Sequence, residues 1–426
     1  MDFHYRHCFH PAGHGTFFSG HIRSPHSSDF VWVYDCGSKR RAHLNGLVRD
    51  FQKTLSSNGG ATSNSIDLLC LSHFDSDHVS GLDLLFRAGF HVKTLALPYA
   101  HLHDRLRQAS DLNEDAVANA GEVAALLLDP VNYLAMRGHL DRIDQIVVIR
   151  GGNSDDEEGV PEEEPQSPDY REFRSDTRND AYPKALRIPQ GNSISPIQDY
   201  VHAESRESLK LQIVSASRAW LVGNLYELVF YNTVQPNDQA PISGINLEQV
   251  AKDVRKLVAD FRLTDPVAAE PGWLNALKAL YGTHFGTHYQ QRNAISLCVH
   301  GRRIPGKDIA HCSIFNDENA LALGVLDAHR TGILLTGDIF LNRKELLAIR
   351  KHLGPKRWDS LALVQIPHHG SRNNWQPGNS NELGRVHNVI CAPGTKHHPH
   401  DDVLADLPGW ALADYQMPVT FNYHHA

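Results

Sequence analysis

The chain reads Leu71-Ser72-His73-Phe74-Asp75-Ser76-Asp77-His78-Val79-Ser80-Gly81-Leu82, and four potential metal ligands fall within six of these residues. The stretch follows the apolar run Ile66–Leu71, which predicts a strand, and leads into a helical run through Phe86. His73, Asp75 and Asp77 alternate and therefore share one side, while His78 turns toward the same space as the chain bends. Four donors this close together indicate two neighbouring cations. The alternative is a helix capped by Asp77 beside surface histidines.

Four further strand-like runs end in residues that suit metal or phosphate chemistry. Open sheets place their sites beyond the carboxyl ends of strands, so these segments are expected to meet at one edge. Each segment alone could be an ordinary turn, whereas their coincidence favours a shared site. They are Asp35-Cys36-Gly37-Ser38, Thr336-Gly337-Asp338, Pro367-His368-His369-Gly370-Ser371 and His397-His398-Pro399-His400.

Short β-branched or aromatic runs alternate with helical patterns along the chain. Helices are predicted over 247–261, with Asn246 as the cap, over 342–353, with Asn342 as the cap and Glu345 completing a capping box, and near Trp273–Tyr281. The predicted strands are Val31–Tyr34, Ile66–Leu71, Gln145–Ile149, Leu225–Tyr231, Ile295–Val299, Ile333–Leu335, Leu361–Ile366, Val389–Cys391 and Val419–Phe421.

Length, charge and cysteine usage exclude several classes of protein. The 426 residues are 41% hydrophobic and 21% charged, which excludes an intrinsically disordered chain. The net charge is −8, but eight of the 49 acidic residues lie within 151–169, so the other 41 acids equal the 41 basic residues in number. The six cysteines are far apart and are expected to be reduced thiols. No membrane span or secretory signal is visible, so a cytoplasmic location is expected.

The motifs together resemble a known family. His73-x-Asp75-x-Asp77-His78 resembles the H-x-H-x-D-H signature of metallo-β-lactamase-fold hydrolases, with aspartate in place of the second histidine. With Leu335-Thr336-Gly337-Asp338 and Pro367-His368-His369-Gly370-Ser371, it resembles the nuclease-like domain of the bacterial DNA-uptake competence channel and its free-standing relatives. Gly13-His14-Gly15-Thr16, Asn293-x-x-Ser296 and His398-Pro399-x-x-x-Val403-Leu404 are further matches, so the resemblance spans nearly the whole chain.

The resemblance implies two divalent metal ions, zinc or manganese, with Asp338 as the bridging ligand. Asp35 would orient the first cluster, and catalytic roles fall on Asp77, on His398 near the leaving group and on His368 if it is not a ligand. Many members of the family have a further ligating histidine, for which His139, His284, His288, His300 and His311 are candidates without a matching motif. The implied metal ligands are His73, Asp75, Asp77, His78, Asp338 and His369.

The fold implied is an α/β protein, an αββα sandwich in which residues 1–426 form a single domain. Two insertions are expected to enlarge it. Residues 151–205 would form an acidic, partly disordered insertion, and 240–290 a helical one that either covers the metal edge as a lid or packs into the core. A carboxylate at Asp75 adds an oxygen donor to the site, which favours manganese as an occupant alongside zinc.

The most favoured function is a metal-dependent phosphodiesterase or nuclease acting on nucleic acid or a nucleotide, as in bacterial conflict or defence loci, where a protein partner is conceivable. Lys39, Arg40, Arg41 and Arg372 are candidate phosphate contacts. One alternative is a hydrolase of a small lactone, thioester or β-lactam, since the fold supports both chemistries. Another is a catalytically idle sensor or partner subunit.

Overall fold

The structure is a computed structural model that describes fifteen segments of the chain. Strands and helices are numbered in chain order. The described residues are 4–24, 27–57, 64–112, 120–151, 160, 170–172, 186–189, 210–223, 225–232, 246–264, 270–285, 296–304, 311–316, 330–395 and 397–424.

The described strands form two sheets of nine strands each. Sheet 1 contains, in spatial order, β13 (His311–Asn316), β18 (Val419–His424), β1 (His4–Phe9), β2 (Phe17–Ser24), β3 (Ser27–Cys36), β4 (Ser65–Cys70), β5 (His91–Pro98), β6 (Ile143–Arg150) and β9 (Lys210–Ser215). Sheet 2 contains β17 (Trp410–Ala413), β16 (His387–Cys391), β15 (Leu361–Gln365), β14 (Gly332–Leu335), β12 (Leu297–Arg303), β11 (Tyr226–Asn232), β10 (Trp220–Val222), β8 (Leu186–Pro189) and β7 (Tyr170–Glu172).

The described helices cover the outer faces of the two sheets. Short 3-10 turns lie at Leu140–Arg142 and His368–Gly370. The helices are α1 (Arg41–Ser57), α2 (Ser76–Val79), α3 (Leu82–Arg87), α4 (Leu102–Ser110), α5 (Ala120–Leu128), α6 (Pro130–Met136), α7 (Leu247–Asp260), α8 (Trp273–Phe285), α9 (Arg343–Leu353), α10 (Pro355–Asp359), α11 (Asn379–Leu383) and α12 (Asp401–Asp406).

Three apolar cores establish the order of the layers. Side chains of β3 alternate in direction, as the pleat of a strand requires. Trp32 and Tyr34 lie in the core between the two sheets, whereas Val31 and Val33 lie in the core between sheet 1 and helices α1 to α8. A third core joins the outer face of sheet 2 to α9 and its neighbours. The order helix, sheet, sheet, helix is an αββα sandwich, which confirms the predicted fold class.

The direction of the strands determines where a site can form. In sheet 1, β3, β4, β5, β6 and β9 pair in parallel, and in sheet 2, β14, β15, β16 and β17 do so. The carboxyl ends of each parallel set therefore lie along one edge of its sheet. The two sheets also touch near these ends, because the Tyr34 hydroxyl donates to the Leu297 carbonyl at 2.8 Å.

The predicted elements are present. Each of the nine predicted strands overlaps an observed strand, and all three predicted helices form. Asn342 caps α9, since its side chain accepts from the Glu345 amide at 2.9 Å, and Asn246 caps α7 in the same way at 3.1 Å. The cysteines whose side chains are described are buried, namely Cys8, Cys36, Cys70, Cys298 and Cys391. No described helix is long and apolar enough to cross a membrane.

The predicted acidic insertion, 151–205, falls almost entirely outside the described residues. Its described parts are ordered elements of sheet 2: β7 and β8 extend that sheet at one edge. Val160, within the acidic stretch, is buried in the outer core of sheet 2, and its amide donates to the His352 carbonyl at 2.7 Å. Val160 therefore attaches this acidic stretch to the sandwich, a contact that the acidic composition did not indicate.

The helical insertion, expected at 240–290, packs as part of the outer layer of sheet 1. Val250 and Val254 of α7 and Leu277 of α8 belong to the same apolar core as α1 and α3. This packing follows from the amphipathic pattern of α7, whose apolar residues recur every three or four positions. Of the two expectations for this insertion, the described helices fit core packing.

A buried ionic group stabilises the far part of sheet 2. Both Arg302 and Arg357 donate to the carboxylate of Glu227, Arg357 at 2.9 and 3.1 Å, and all three side chains are at most 5% exposed. Burial acts to raise the pKa of Glu227, but the hydrogen bonds and charges of Arg357 and Arg302 outweigh it and hold that pKa below its usual value. One carboxylate thus neutralises part of the charge of two buried guanidinium groups.

We expect Glu227→Gln to lower the free energy of unfolding by about 3 kcal/mol, because it leaves two buried guanidinium groups without their carboxylate. Urea unfolding at pH 7 measures this change. The exposed Glu248→Gln, which removes the surface partner of Lys252, is the matched control and should leave the unfolding midpoint unchanged. The difference between wild type and Glu227→Gln should narrow as the pH falls below the usual pKa of a glutamate, because the unfolded wild-type chain then takes up a proton that the folded Glu227 carboxylate still resists. Equal free energies of unfolding for wild type and Glu227→Gln at pH 7 would contradict this expectation.

Candidate metal centre

The carboxyl ends of strands from both sheets converge at one place. β4 leads to His73, Asp77 and His78, β14 leads to Asp338, and β15 leads to His369. These side chains lie within a few ångströms of one another, although the segment after β4 is separated from the other two by more than 250 residues. Two groups of three residues there could each hold a metal ion. We name them the first triad (His73, His78 and Asp338) and the second triad (His14, Asp77 and His369).

The first triad is fully enclosed by the protein. His78 Nε2 lies 3.1 Å from Asp338 Oδ1, and His73 Nε2 lies 3.6 Å from Asp338 Oδ2. All three side chains are at most 3% exposed, and the His73 Nε2, His78 Nε2 and Asp338 Oδ1 atoms have no hydrogen-bond partner among the described residues. Buried polar atoms of this kind are costly unless something satisfies them. A cation bound between them would do so, and the donors fit one.

The second triad lies beside the first and closer to the surface. Asp77 Oδ2 is 3.2 Å from His369 Nε2 and 3.5 Å from His14 Nε2. The Lys39 ammonium lies 3.6 Å from the same oxygen, and its side chain is half exposed. The rings of His78 and His369 have centroids 5.7 Å apart, so the two triads are adjacent. The motif predicted two metal ions, and the structure contains two adjacent groups of donors. The number of bound ions stays a prediction.

Hydrogen bonds to the Nδ1 atoms determine which nitrogen of each histidine faces the centre. His78 Nδ1 is 2.8 Å from Asp35 Oδ2, and since a carboxylate only accepts, Nδ1 donates, which leaves the lone pair of the neutral ring on Nε2. His369 Nδ1 donates in the same way to the Cys391 carbonyl at 2.6 Å. The Ser72 hydroxyl donates to Asp35 and accepts from His73 Nδ1 at 2.8 Å. All three rings therefore present an Nε2 lone pair, which metal coordination requires.

Asp35 connects these contacts. Its carboxylate accepts from the Ser72 amide at 2.7 Å, from the Ser72 hydroxyl at 2.6 Å and from His78 Nδ1. Asp35 is fully buried and adopts a left-handed conformation with φ 56, which is unfavourable for a residue other than glycine. His368 and His369 do the same, with φ 46 and 57. Backbone strain is thus concentrated at the strand ends that shape the centre.

His14 reaches the centre through a loop that only small residues permit. Gly15 has φ 155, and a Cβ there would lie 2.4 Å from the Gly37 carbonyl. The next residue, Thr16, donates from its amide to the Asp77 carbonyl at 3.0 Å and accepts from the Gly37 amide at 2.8 Å. The loop between β1 and β2 is therefore packed directly against the segment that contains Asp77. This contact brings His14 to the second triad.

The charges of the centre favour a bound cation. Burial lowers the pKa of His78, but the carboxylates of Asp338 and Asp35 outweigh it and raise that pKa well above its usual value. Burial alone would raise the pKa of Asp338, yet the nearby imidazoles hold it well below its usual range. The negative potential that stabilises a proton between His78 and Asp338 also stabilises a metal ion there.

The other predicted site residues have different positions. Asp75 lies on the solvent-exposed side of the triads, which we call the mouth of the centre. Its Oδ2 is 3.8 Å from His73 Nε2, and half of its side chain is exposed. His368 donates from Nδ1 to Asn374 Oδ1 at 2.7 Å, and its Nε2 lies 3.7 Å from Asp338. The ring of His398 lies 5.6 Å from that of His14 and 6.1 Å from that of His368. Each of these residues borders the triads.

The four predicted phosphate contacts separate into two groups. Lys39 lies at the second triad, and the neighbouring Arg40 is stacked 4.0 Å over the ring of Tyr415. Arg372 is exposed and lies 3.7 Å from Asp402. The guanidinium of Arg41 instead binds two carboxylates, Asp83 and Glu122, both at 3.3 Å. The expected phosphate contact of Arg41 is therefore not supported, because its guanidinium is held by these two carboxylates.

The sequence did not place the further histidine that the family resemblance implied, and the structure brings His14 close to Asp77 and His369. Its motif, Gly13-His14-Gly15-Thr16, was a visible signal before the first predicted strand, but nothing local indicated where the segment would pack. Of the five earlier candidates, His139 binds Asp83, His284 binds Asp253, and His300 is buried within sheet 2. The side chain of His311 and the whole of His288 lie outside the described residues.

Comparison with known proteins covers family models, curated proteins and solved structures. No protein-family model matches the sequence, and no curated protein matches it. Among solved structures, the crystal structure of a long form RNase Z from yeast aligns with 92% of this chain and 37% of that chain, at 10% sequence identity and a TM-score of 0.34. The chain thus spans well under half of that protein. At this similarity the match has no bearing on function, and the fold assignment depends on the layers described above.

We expect Asp35→Asn to weaken metal binding by about 10- to 100-fold, because an amide no longer ensures that His78 keeps its proton on Nδ1. Titration with zinc against a chelating indicator measures the affinity. The exposed Asp50→Asn on α1 is the control and should bind metal like the wild type. Unchanged affinity in Asp35→Asn would show that Asp35 is purely structural.

We expect His14→Ala to lose about one of two bound metal equivalents while the first triad stays loaded, since His14 touches only the second triad. Elemental analysis of the purified protein after dialysis gives the metal content. His43→Ala, which removes a histidine bonded to the Pro11 carbonyl in the same region, is the matched control. Two equivalents in the His14→Ala protein would exclude His14 as a ligand.

Proposed function

We propose that the protein is a metal-dependent phosphodiesterase that hydrolyses nucleic acid. The observation that carries the proposal is the pair of adjacent triads, in which imidazole and carboxylate atoms face one another and the buried atoms of the first triad lack other partners. Adjacent divalent sites of this kind are typical of phosphoester hydrolysis. The first triad, His73, His78 and Asp338, would hold one ion, and the second triad would hold the other, with Asp75 available at the mouth.

Zinc or manganese bound at these residues would supply an activated water and stabilise charge on phosphoryl oxygens. The protein's own residues supply orientation and protons. Asp35, Ser72 and the Cys391 carbonyl keep the imidazole protons on Nδ1, so that every Nε2 remains a donor. These contacts pre-organise the centre before substrate arrives, because none of them has to form during the reaction.

The mouth of the centre fits an anionic substrate. The half-exposed Lys39 ammonium beside Asp77 would bind a non-bridging phosphate oxygen. Burial, together with the neighbouring imidazoles, lowers the pKa of His398 to about 4, so this ring is neutral near pH 7. It would therefore donate a hydrogen bond to the phosphoryl group or the leaving oxygen, and not contribute a charge. His368, held by Asn374, is placed for the same task.

The motifs indicate the class of substrate. The aspartate at position 75 and the Pro367-His368-His369-Gly370-Ser371 segment resemble the nuclease-like branch of the competence channel, which supports nucleic acid over a lactone or β-lactam. The positive charge of Lys39 at the mouth supports the same choice. A free-standing nuclease of this kind would also suit a defence locus with a protein partner.

We expect the purified protein with manganese or zinc to cleave bis-p-nitrophenyl phosphate and single- or double-stranded nucleic acid. Asp338→Asn should reduce the rate at least 100-fold, since it removes a charged oxygen from the first triad, while its unfolding midpoint reports whether the fold is kept. Asp50→Asn again serves as the matched control. Parallel assays with a lactone and a β-lactam separate the candidate reactions.

Turnover of the lactone without any phosphodiester cleavage would overturn the proposal in favour of a small-molecule hydrolase. If neither class of substrate reacts while two metal ions are bound, the catalytically idle sensor becomes the better description. Metal content is measured on the same samples, so loss of activity through loss of metal is recognised directly.

A further inference from the structure

A cavity of about 630 Å³ lies in the outer helical layer of sheet 1, and none of its lining residues belongs to the two triads. Its wall is formed by α3, by the end of α6 and the turn after it, and by the last turn of the inserted helix α7. The volume falls within the range of small-ligand sites. Three arginines, Arg87, Arg137 and Arg262, line it together with His139 and the carboxylate of Asp83.

The carboxylates around this cavity do not balance its guanidinium groups. Asp83 is buried, its carboxylate lies 2.8 Å from Arg137 Nη2 and 3.0 Å from Arg87 Nε in ion pairs, and it accepts from His139 Nε2 at 2.9 Å. Arg41 binds both Asp83 and Glu122, and Arg137 also approaches Glu122 at 3.5 Å. The group therefore contains four guanidiniums, including Arg262, against two carboxylates, which leaves an excess of two positive charges. Burial of Arg137, with only 10% of its side chain exposed, makes this excess costly without an anion.

Arg262 is placed where the backbone favours glycine. It follows the end of α7 with φ 51, its amide donates to the Ala259 carbonyl, and the Leu263 amide donates to the Val258 carbonyl, the pattern of a left-handed helix terminus. An arginine at this position costs stability relative to glycine. Its side chain is exposed at the cavity, and the described residues place no carboxylate within 4.0 Å of its guanidinium. A role of the Arg262 side chain in binding a ligand would account for this conformational cost.

We propose that this cavity binds a phosphate monoester, either free inorganic phosphate or a phosphorylated small molecule up to the size of a nucleotide. The excess of two positive charges matches a phosphate dianion and exceeds what a singly charged phosphodiester needs. Arginine is the side chain best suited to this role, because its planar fork pairs with two phosphate oxygens at once. The site does not depend on the proposed phosphodiesterase activity, since it shares no residue with the triads.

Isothermal titration of the full chain with inorganic phosphate, adenosine 5′-monophosphate and dimethyl phosphate tests the proposal. The titrations are performed with and without excess EDTA, so that binding at metal ions is recognised by its loss. Inorganic phosphate and adenosine 5′-monophosphate can each carry two negative charges on one phosphate group. In the presence of EDTA, both should bind at least 10-fold more tightly than dimethyl phosphate. Tighter binding of the nucleotide than of inorganic phosphate identifies a phosphorylated small molecule as the ligand, and equal binding identifies phosphate itself.

Arg262→Gly provides the decisive variant because it should separate binding from stability. Glycine relieves the left-handed strain, so the thermal midpoint should rise, while affinity for the phosphate probes should fall at least 10-fold. Arg262→Lys should retain part of the affinity, and Lys256→Ala, which removes an exposed charge from the same helix, should retain all of it. Absence of phosphate binding in EDTA, or equal affinity of wild type and Arg262→Gly, would overturn the proposal whether or not the triads are active.

Discussion

The buried carboxylate of Asp35 makes the contacts on which the candidate metal centre depends. It accepts from the Ser72 amide and hydroxyl and from His78 Nδ1, and through Ser72 it also determines the orientation of His73. A single carboxylate at the end of β3 thus sets the tautomers of two rings on the segment after β4. Because Asp35 has φ 56, the surrounding fold must maintain this arrangement against local preference.

The two-sheet architecture explains how the fold maintains it. Each sheet supplies a set of parallel strands, and the contact of Tyr34 with the Leu297 carbonyl holds the sheets together close to the carboxyl ends. The first triad takes His73 and His78 from sheet 1 and Asp338 from sheet 2, so it exists only when both sheets are packed. The cores on the outer faces, including the inserted helices α7 and α8, support the same packing from outside.

Two regions of opposite charge lie in the same protein. The metal centre gathers carboxylates and imidazoles that need cations, whereas the cavity beside α7 gathers arginines that need an anion. Asp83 belongs to α3, the helix that follows the segment containing His73, Asp77 and His78, and it connects Arg41, Arg87 and Arg137. The basic residues 39–41 therefore contribute to two different places. Lys39 lies at the candidate metal centre, and Arg41 belongs to the ion-pair network of the cavity.

The sequence by itself determined most strands and helices and the residues at the strand ends, because alternation of side chains and residues that follow a strand are local properties of the chain. The order of the layers was implied only by the resemblance of the motifs to a known family. His73, Asp77, His78, Asp338 and His369 could be named without coordinates for this reason. The role of His14, the division of the ligands into two triads and the partners of Arg41 were decided only by tertiary structure. They depend on contacts between distant segments. The glycines around His14 allow its loop to pack against the Asp77 segment, and Asp83 of α3 and Glu122 of α5 bind Arg41. Contacts between segments distant in the chain leave no periodic signal, so no local pattern could have revealed them.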